Sequence, residues 1–293
     1  MDSTRRHFLK IAGVAAVGAT ASPAFANLLL ENFPAPRGAA RSDEALGQED
    51  LSKSRWAMVV DLTKLNARVV QAAQEACHSV HNVPDFQALP DSEMSPGEKT
   101  RSEIKWIWPT GYENAFPNQM NQLPRKQDAH DQGFITGDIT QVQPLVLCNH
   151  CEHPPCVRVC PTKATFQRDD GIVLMDFHRC IGCRFCMAAC PYGARSFNWY
   201  EPVEADRKVL KGGGKVNPDF PTRTKGVVEK CNFCAERLSK GQLPACVEAC
   251  ENEELLFGDM NDRESVVRKV LRERFAIRRK ASLGTQPQVY YLI

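Results

Sequence analysis

Twelve of the chain's thirteen cysteines fall into three groups of four. The first is Cys148-x2-Cys151-x4-Cys156-x3-Cys160-Pro161. The second is Cys180-x2-Cys183-x2-Cys186-x3-Cys190-Pro191. The third is Cys231-x2-Cys234-x11-Cys246-x3-Cys250. Three thiolates two residues apart on a tight loop each reach a different iron of one cubane, and the second group has this spacing unaltered. The fourth thiol, three residues on and followed by proline, starts a segment that leads away and reaches a neighbouring cluster. Such groups therefore work in pairs. Structural zinc needs only four ligands per site and leaves the x2-x2-x3-Pro form unexplained. A disulfide framework suits small scaffolds, and this chain has ample core-forming residues without staples. The chemistry expected is that of [4Fe–4S] clusters.

Strands must position these loops. Short β-type runs flank them at 143–147, 172–176, 196–200, 226–229 and 255–258, and Asp169-Asp170-Gly171 between apolar runs is a hairpin signal. Pro155-Cys156-Val157-Arg158-Val159-Cys160 is echoed by Pro244-Ala245-Cys246-Val247-Glu248-Ala249-Cys250, so the groups are also internal repeats. The fold expected is α+β, built of repeated bacterial-ferredoxin-like modules with long loop insertions. Trp56–Leu62 is a further strand. Residues 85–141, with Trp106, Trp108 and Tyr112, wrap the core or meet a partner.

The N-terminus reads MDSTRRHFLKIAGVAAVGATASPAFAN. Its apolar run is shorter than the ~20 residues of a membrane span, and Ala24-Phe25-Ala26 has the form of a cleavage site. Arg5-Arg6-x-Phe-Leu-Lys is similar to a twin-arginine signal, the route that exports proteins already folded around a cofactor. The mature chain is expected to begin near Asn27, in the periplasm. The organisation expected is residues 1–26 signal peptide, 27–54 extension, 55–140 a degenerate first motif with an insertion, and 141–200 a two-motif domain. Residues 201–260 carry the third intact motif, paired with 55–84, and 261–293 form a helix and tail. A net charge of +2 is too small to argue for nucleic acid. The basic stretch 263–280 has Val266, Val267, Val270, Leu271 and Phe275 at helical spacing, the mark of an amphipathic helix. Asn261 with Glu264 offers a capping-box start for it.

The stretch CEHPPCVRVCPTKATFQRDDGIVLMDFHRCIGCRFCMAACPYGA, from Cys151, resembles the four-cluster ferredoxin subunits of membrane-associated oxidoreductases. These include the electron-transfer subunits of dimethyl sulfoxide, polysulfide and nitrate reductases and of some hydrogenases. The resemblance spans roughly residues 55–259. Within that family, VVEKCNFCAERLSKGQLPACVEACENEELLFGD, the leader, and a C-terminus ending QPQVYYLI with no anchor expected are most similar to the periplasmic iron–sulfur subunits of Dsr-type complexes of sulfur-metabolising bacteria.

Family members open with C-x2-C-x2-C-x3-C soon after a strand. Counting back from Cys77 by that spacing lands on Ala73, Val70 and Ala67, so only the fourth position remains cysteine. In the family the first motif pairs with the last and the two middle motifs pair with each other. The resemblance then implies one cluster on Cys148, Cys151, Cys156 and Cys190, and a second on Cys180, Cys183, Cys186 and Cys160. It implies a third on Cys231, Cys234, Cys246 and Cys77. Three [4Fe–4S] clusters result. Cys250 is the spare thiol, or else the alternative fourth ligand of the third cluster. His150, His153 and His178 either donate to cluster sulfurs or serve ordinary loop roles. Haem ligation by His78 or His81 is set aside, because the chain has no CxxCH motif.

The resemblance implies a non-catalytic electron-transfer subunit, peripheral to the membrane through its partners. Those partners are an integral-membrane quinone-interacting subunit and a periplasmic multihaem cytochrome c. No small-molecule substrate is expected, since no catalytic constellation or phosphate loop is present. The rival readings are a relay for an exported molybdopterin oxidoreductase or hydrogenase, a structural module, and an enzyme using a cluster as Lewis acid. Full sets of four ligands argue against the last.

Overall fold

The computed structural model describes residues 54–117, 142–202, 216–221 and 223–293, all within one compact unit. The leader with Arg5 and Arg6, the extension to residue 53 and the insertions 118–141 and 203–215 lie outside the described residues. Among the described residues no helix is long and apolar enough to cross a membrane.

The first strand, β1 (Trp56–Asp61), is buried on both faces. Its alternation is that of a strand between two layers. Met58 and Val60 point into the main core, whereas Ala57 and Val59 point into a second, smaller one. After it comes α1 (Ala67–Val80), started by Asn66, whose side chain accepts from the Val69 N–H. Helix α2 (Pro96–Ser102) opens with proline and a capping box between Ser95 and Glu98. Strand β2 (Ile107–Pro109), helix α3 (Tyr112–Ala115) and strand β3 (Leu145–Leu147) follow, and β2 pairs antiparallel with β3. Trp106 and Tyr112 are fully buried, so this part of the 85–141 segment wraps the core.

The cysteine-bearing part is built of single-turn helices and short hairpins. Helix α4 (Pro155–Arg158) leads to β4 (Thr165–Gln167) and β5 (Val173–Met175), an antiparallel pair around Asp169-Asp170-Gly171. Gly171 has φ +84°, which the turn needs and which a side chain would resist. Helix α5 (Phe185–Ala189), strand β6 (Ser196–Phe197) and strand β7 (Val228–Glu229) come next, with β6 antiparallel to β7. Helices α6 (Ala235–Leu238) and α7 (Ala245–Glu248) carry the third cysteine group.

The C-terminal part differs from the expected helix and tail. Strand β8 (Leu255–Asp259) is followed by α8 (Val266–Glu273), β9 (Ala276–Ile277) and β10 (Val289–Leu292). The sheet order is β8-β1-β10-β9, with β10 parallel to β1 and β8 antiparallel to it. The stretch expected as a tail is therefore a central strand. Helix α8 covers the second core through Val267 and begins at Ser265, without the expected Asn261–Glu264 capping box. The carboxylates of Asp259 and Asp262 accept from the N–H groups of Asn261 and Glu264, so a loop satisfies those amides. The helix stops at Glu273, which leaves Phe275 exposed rather than on its apolar face.

Candidate metal centres

Four of the cysteines, Cys148, Cys151, Cys156 and Cys190, line one cavity. They come from both middle groups, three from the first and the last from the second. Burial pushes the Cys151 thiol up to about 12, and Cys148 beside it adds to the shift. A second cavity is lined by Cys160, Cys180, Cys183 and Cys186. Here backbone amides aim at sulfur: Thr165 N–H lies 3.5 Å from Cys160 Sγ, and Val228 N–H lies 3.5 Å from Cys180 Sγ. Burial raises the Cys160 thiol, but donors from Thr165 and Thr162 outweigh it and leave it lowered. Such donors favour a charged sulfur.

The third set is the deepest. Cys77, Cys231, Cys234 and Cys246 are all buried. Burial pushes the Cys77 thiol well up, and Cys246, Cys234 and Cys231 are the next largest contributors. Phe233 N–H donates to Cys231 Sγ at 3.4 Å. Cys250 is half-buried, and its thiol donates to the Cys246 carbonyl at 3.2 Å. Burial, then the Glu254 charge, pushes it up to about 11.

Shared packing orders these sites. Cys156 of the first set lies in one small core cluster with Cys186 and Cys180 of the second. Cys148 and Cys151 of the first set lie in the main core with Cys231, Cys246 and Cys77 of the third. The Cys148 set thus sits between the mostly half-buried Cys180 set and the buried Cys77 set.

The loops achieve this with left-handed backbone. His150, Arg184, Phe233 and Cys234 all have positive φ, as does Gly182. That conformation turns the chain tightly enough to aim successive groups at one point. Gly182 has φ +69°, and a Cβ there would collide with the Gly226 carbonyl oxygen. We expect Gly182→Ala to cost about 1–3 kcal/mol from backbone strain alone. It should strip iron from the Cys180 set first, read as a fractional loss of iron per chain with the other sites retained.

The degenerate motif has a different shape. Residues 67, 70, 73 and 77 lie along one side of the continuous helix α1 rather than on a loop. Ala67 is exposed, Val70 half-buried, and Ala73 and Cys77 buried. The helix packs directly on α7 and β2, yet a cavity of about 550 Å³ remains beside the degenerate positions, lined by Ala67, Val70, Gln71 and Gln74 among others, so the space is only partly closed.

Several residues around the sites carry no spacing signature. Arg195 is buried among Cys148, Cys156 and Cys186 and donates to Thr165 Oγ1. Its Nη2 has no oxygen or nitrogen partner. Lys230 is buried and donates to the carbonyls of Val173 and Cys231. His81 reaches the third set. Its Nδ1 donates to the Cys77 carbonyl at 2.7 Å, and its Nε2 lies 2.9 Å from Glu236 and 3.6 Å from Cys234 Sγ. Burial works against a charged imidazole, but the bonds to Cys234 and Glu236 outweigh it and push the pKa up to about 9. His150 stacks on Phe233 and accepts from Val173 N–H through Nδ1, an architectural role. His153 and His178 are exposed. In the sequence only the place of Lys230, directly before Cys231, could have pointed to such a cation.

These donor sets fit an iron–sulfur group on the geometry alone. Two cavities are each lined by four thiols, and a buried guanidinium beside them has an unsatisfied nitrogen that an anionic group would complete. The mixed fold and its cysteine sites define an electron-transfer protein of the 4Fe–4S ferredoxin type. A family described as "4Fe-4S dicluster domain" matches residues 142–207 and 216–260. The chain is 38% identical to the Hdr-like menaquinol oxidoreductase iron-sulfur subunit 1 of Archaeoglobus fulgidus, over 98% of this chain and 97% of that protein. It is 34% identical to the menaquinone reductase iron-sulfur cluster-binding subunit of Nitratidesulfovibrio vulgaris, over 82% of this chain and 89% of the relative. It is 33% identical to a tetrathionate reductase subunit of Salmonella typhimurium, over 100% and 89%. The chain belongs to the family of iron–sulfur electron-transfer subunits of membrane-associated oxidoreductases.

Proposed function

We propose that the chain is a periplasmic, DsrO-type subunit that relays electrons within a Dsr-type membrane complex of sulfur metabolism. Its leader sends it out folded by the twin-arginine route. Its partners are a quinone-interacting membrane subunit and a multihaem cytochrome c. The observation that carries the relay is the packing that links three cysteine quartets, Cys186 with Cys156 in one small core cluster and Cys148 with Cys231 and Cys77 in the main core. Cys148, Cys151, Cys156 and Cys190 hold one [4Fe–4S] cluster. Cys160, Cys180, Cys183 and Cys186 hold a second, and Cys77, Cys231, Cys234 and Cys246 a third. Each such group, when bound, changes by one electron at a potential set by its surroundings.

The chain's own residues do the rest. Thiolates fix the sites, and the amides of Thr165, Val228 and Phe233 donate to sulfur. Arg195 and Lys230 place positive charge at buried positions and so favour the reduced, more negative state. Removing the Arg195 charge by Arg195→Gln should cost about 1–2 kcal/mol of reduced-state stability at an effective dielectric of ~20. That is roughly 40–90 mV for a one-electron couple, towards negative potential. Redox titration followed by EPR reads it, and the two sites next to Arg195 should move more than the Cys77 site.

The function is tested with the purified complex. Without this chain, electron transfer from quinol to the cytochrome should stop; an undiminished rate rejects the relay. The similarity to the tetrathionate reductase protein supports a second reading, a relay for a catalytic reductase subunit, and the resemblance drawn from the sequence makes that an exported molybdopterin oxidoreductase or hydrogenase. Mass spectrometry of the isolated complex separates the two by whether a large catalytic subunit or a cytochrome accompanies the chain.

A further inference from the structure

Eight large apolar side chains are exposed among the described residues, and four of them cluster at one cysteine set. Ile181, between Cys180 and Cys183, is 67% exposed, and Phe185, between Cys183 and Cys186, is 60% exposed. Val159, just before Cys160, and Phe166, on β4, are 39% and 38% exposed. They are gathered around one site, because α4 packs against both α5 and β4 and Ile181 lines the cavity of Cys160, Cys180, Cys183 and Cys186. Singly exposed apolar residues are ordinary, but such a grouping marks an interaction site.

The charge around this patch has one dominant sign. Arg158, Lys163, Arg179 and Arg184 are exposed there. Arg179 pairs with Asp176 at 3.1 Å. Arg184 is held over the rings of Phe197 and Trp199, 5.2 and 4.9 Å from their centroids, so its guanidinium has a fixed place on the rim. An apolar centre with a polar, charged rim is the anatomy of a protein interface. The ligands beneath it are also the most accessible of the three sets. Cys160, Cys180 and Cys183 are half-buried, whereas all four thiols of the Cys77 set are buried.

We infer that this patch is the docking face for a second redox subunit, one whose matching face is apolar and ringed by carboxylates. Electrons cross the boundary of this chain there, through the set on Cys160, Cys180, Cys183 and Cys186. The inference rests on the relay reading and adds the surface and the chemistry of the partner to it. An anionic membrane would also attract an apolar, basic patch. A lipid surface accepts no electrons, and redox ligands at the centre of the patch favour a protein.

The test uses the membrane complex carrying an Ile181→Asp/Phe185→Asp double variant, an Arg184→Glu variant, and Phe275→Asp as a control. Phe275 is 72% exposed and lies just after α8, which packs on β8 and β1. Iron content and EPR are read first; absence of clusters in the unaltered chain refutes the relay reading itself. With clusters loaded, the double variant should lose a partner subunit during purification or exchange electrons with it more than tenfold more slowly. Arg184→Glu should show a smaller loss that grows with salt. Phe275→Asp should behave as the unaltered chain. If the double variant loses its clusters, Val159→Asp and Phe166→Asp probe the same face from other loops. Assembly and electron exchange that are untouched by the patch variants, or equally damaged by Phe275→Asp, overturn the inference. So does binding of the unaltered holoprotein to phosphatidylglycerol vesicles that the patch variants abolish while the complex stays intact.

Discussion

Cys77→Ser should yield a protein that has lost one cluster, while Cys250→Ser keeps its full complement. Cys77 is buried at the end of α1, beside Cys231, Cys234 and Cys246. In the proposed assignment its sulfur is the contribution of the N-terminal segment to a site whose other thiols lie more than 150 residues on. Loss of one thiolate in four opens the site to water, and metal affinity and local folding fall together. Cys250 has a different occupation. It is half-buried, and its thiol donates to the Cys246 carbonyl, whereas Cys77 is buried with the other three thiols. Iron per chain and the EPR spectrum of the reduced protein decide between the two. A cluster lost on changing Cys250, with none lost on changing Cys77, rejects the assignment.

The second large effect lies in a polar network behind the same site. Glu229 and Arg223 are fully buried side chains, joined by a 2.7 Å bond from Arg223 Nε to Glu229 Oε2. The same oxygen accepts from the Trp106 indole N–H at 2.7 Å, and Arg223 Nη2 donates to the Asn82 carbonyl. Glu229→Ala would leave a buried guanidinium uncompensated and an indole N–H without an acceptor. Breaking such a pair costs about 3–5 kcal/mol. For a chain of this size that is roughly a 10 °C fall in the unfolding midpoint. Lys240→Ala, which removes an exposed partner of Asp219, should change stability by less than about 0.5 kcal/mol. Calorimetry on loaded protein reads both, and a Glu229→Ala midpoint within 2–3 °C of the unaltered one rejects this account.

Much of the chemistry was legible because cysteine spacing is local. A loop of three residues either can or cannot place thiols around one centre, and that is visible in Cys180-x2-Cys183-x2-Cys186. Strand β1 was legible for the same reason: its apolar run is continuous, and both of its faces are buried. The position of β10 was not legible. QVYYL reads as a strand fragment, but its parallel pairing with β1 is set by contacts over more than 200 residues. The start of α8 was misplaced because two aspartates offered competing acceptors in the loop. Arg195, Lys230 and His81 were missed as parts of the sites for another reason: the sequence holds 37 lysines and arginines and seven histidines, and only three-dimensional packing shows which are buried beside the thiols.

The pairing of β1 with β10 also bears on the order in which the molecule can be made. The sheet cannot close on the ribosome until residues 289–292 have left the exit tunnel, because that strand lies between β1 and β9. The Cys148 and Cys180 sets are complete once residue 190 has emerged. The Cys77 set waits for Cys246. With the proposed ligand sets, cofactor insertion would have a built-in sequence, two local sites that can be filled early and a third that can form only when distant parts of a nearly finished chain meet.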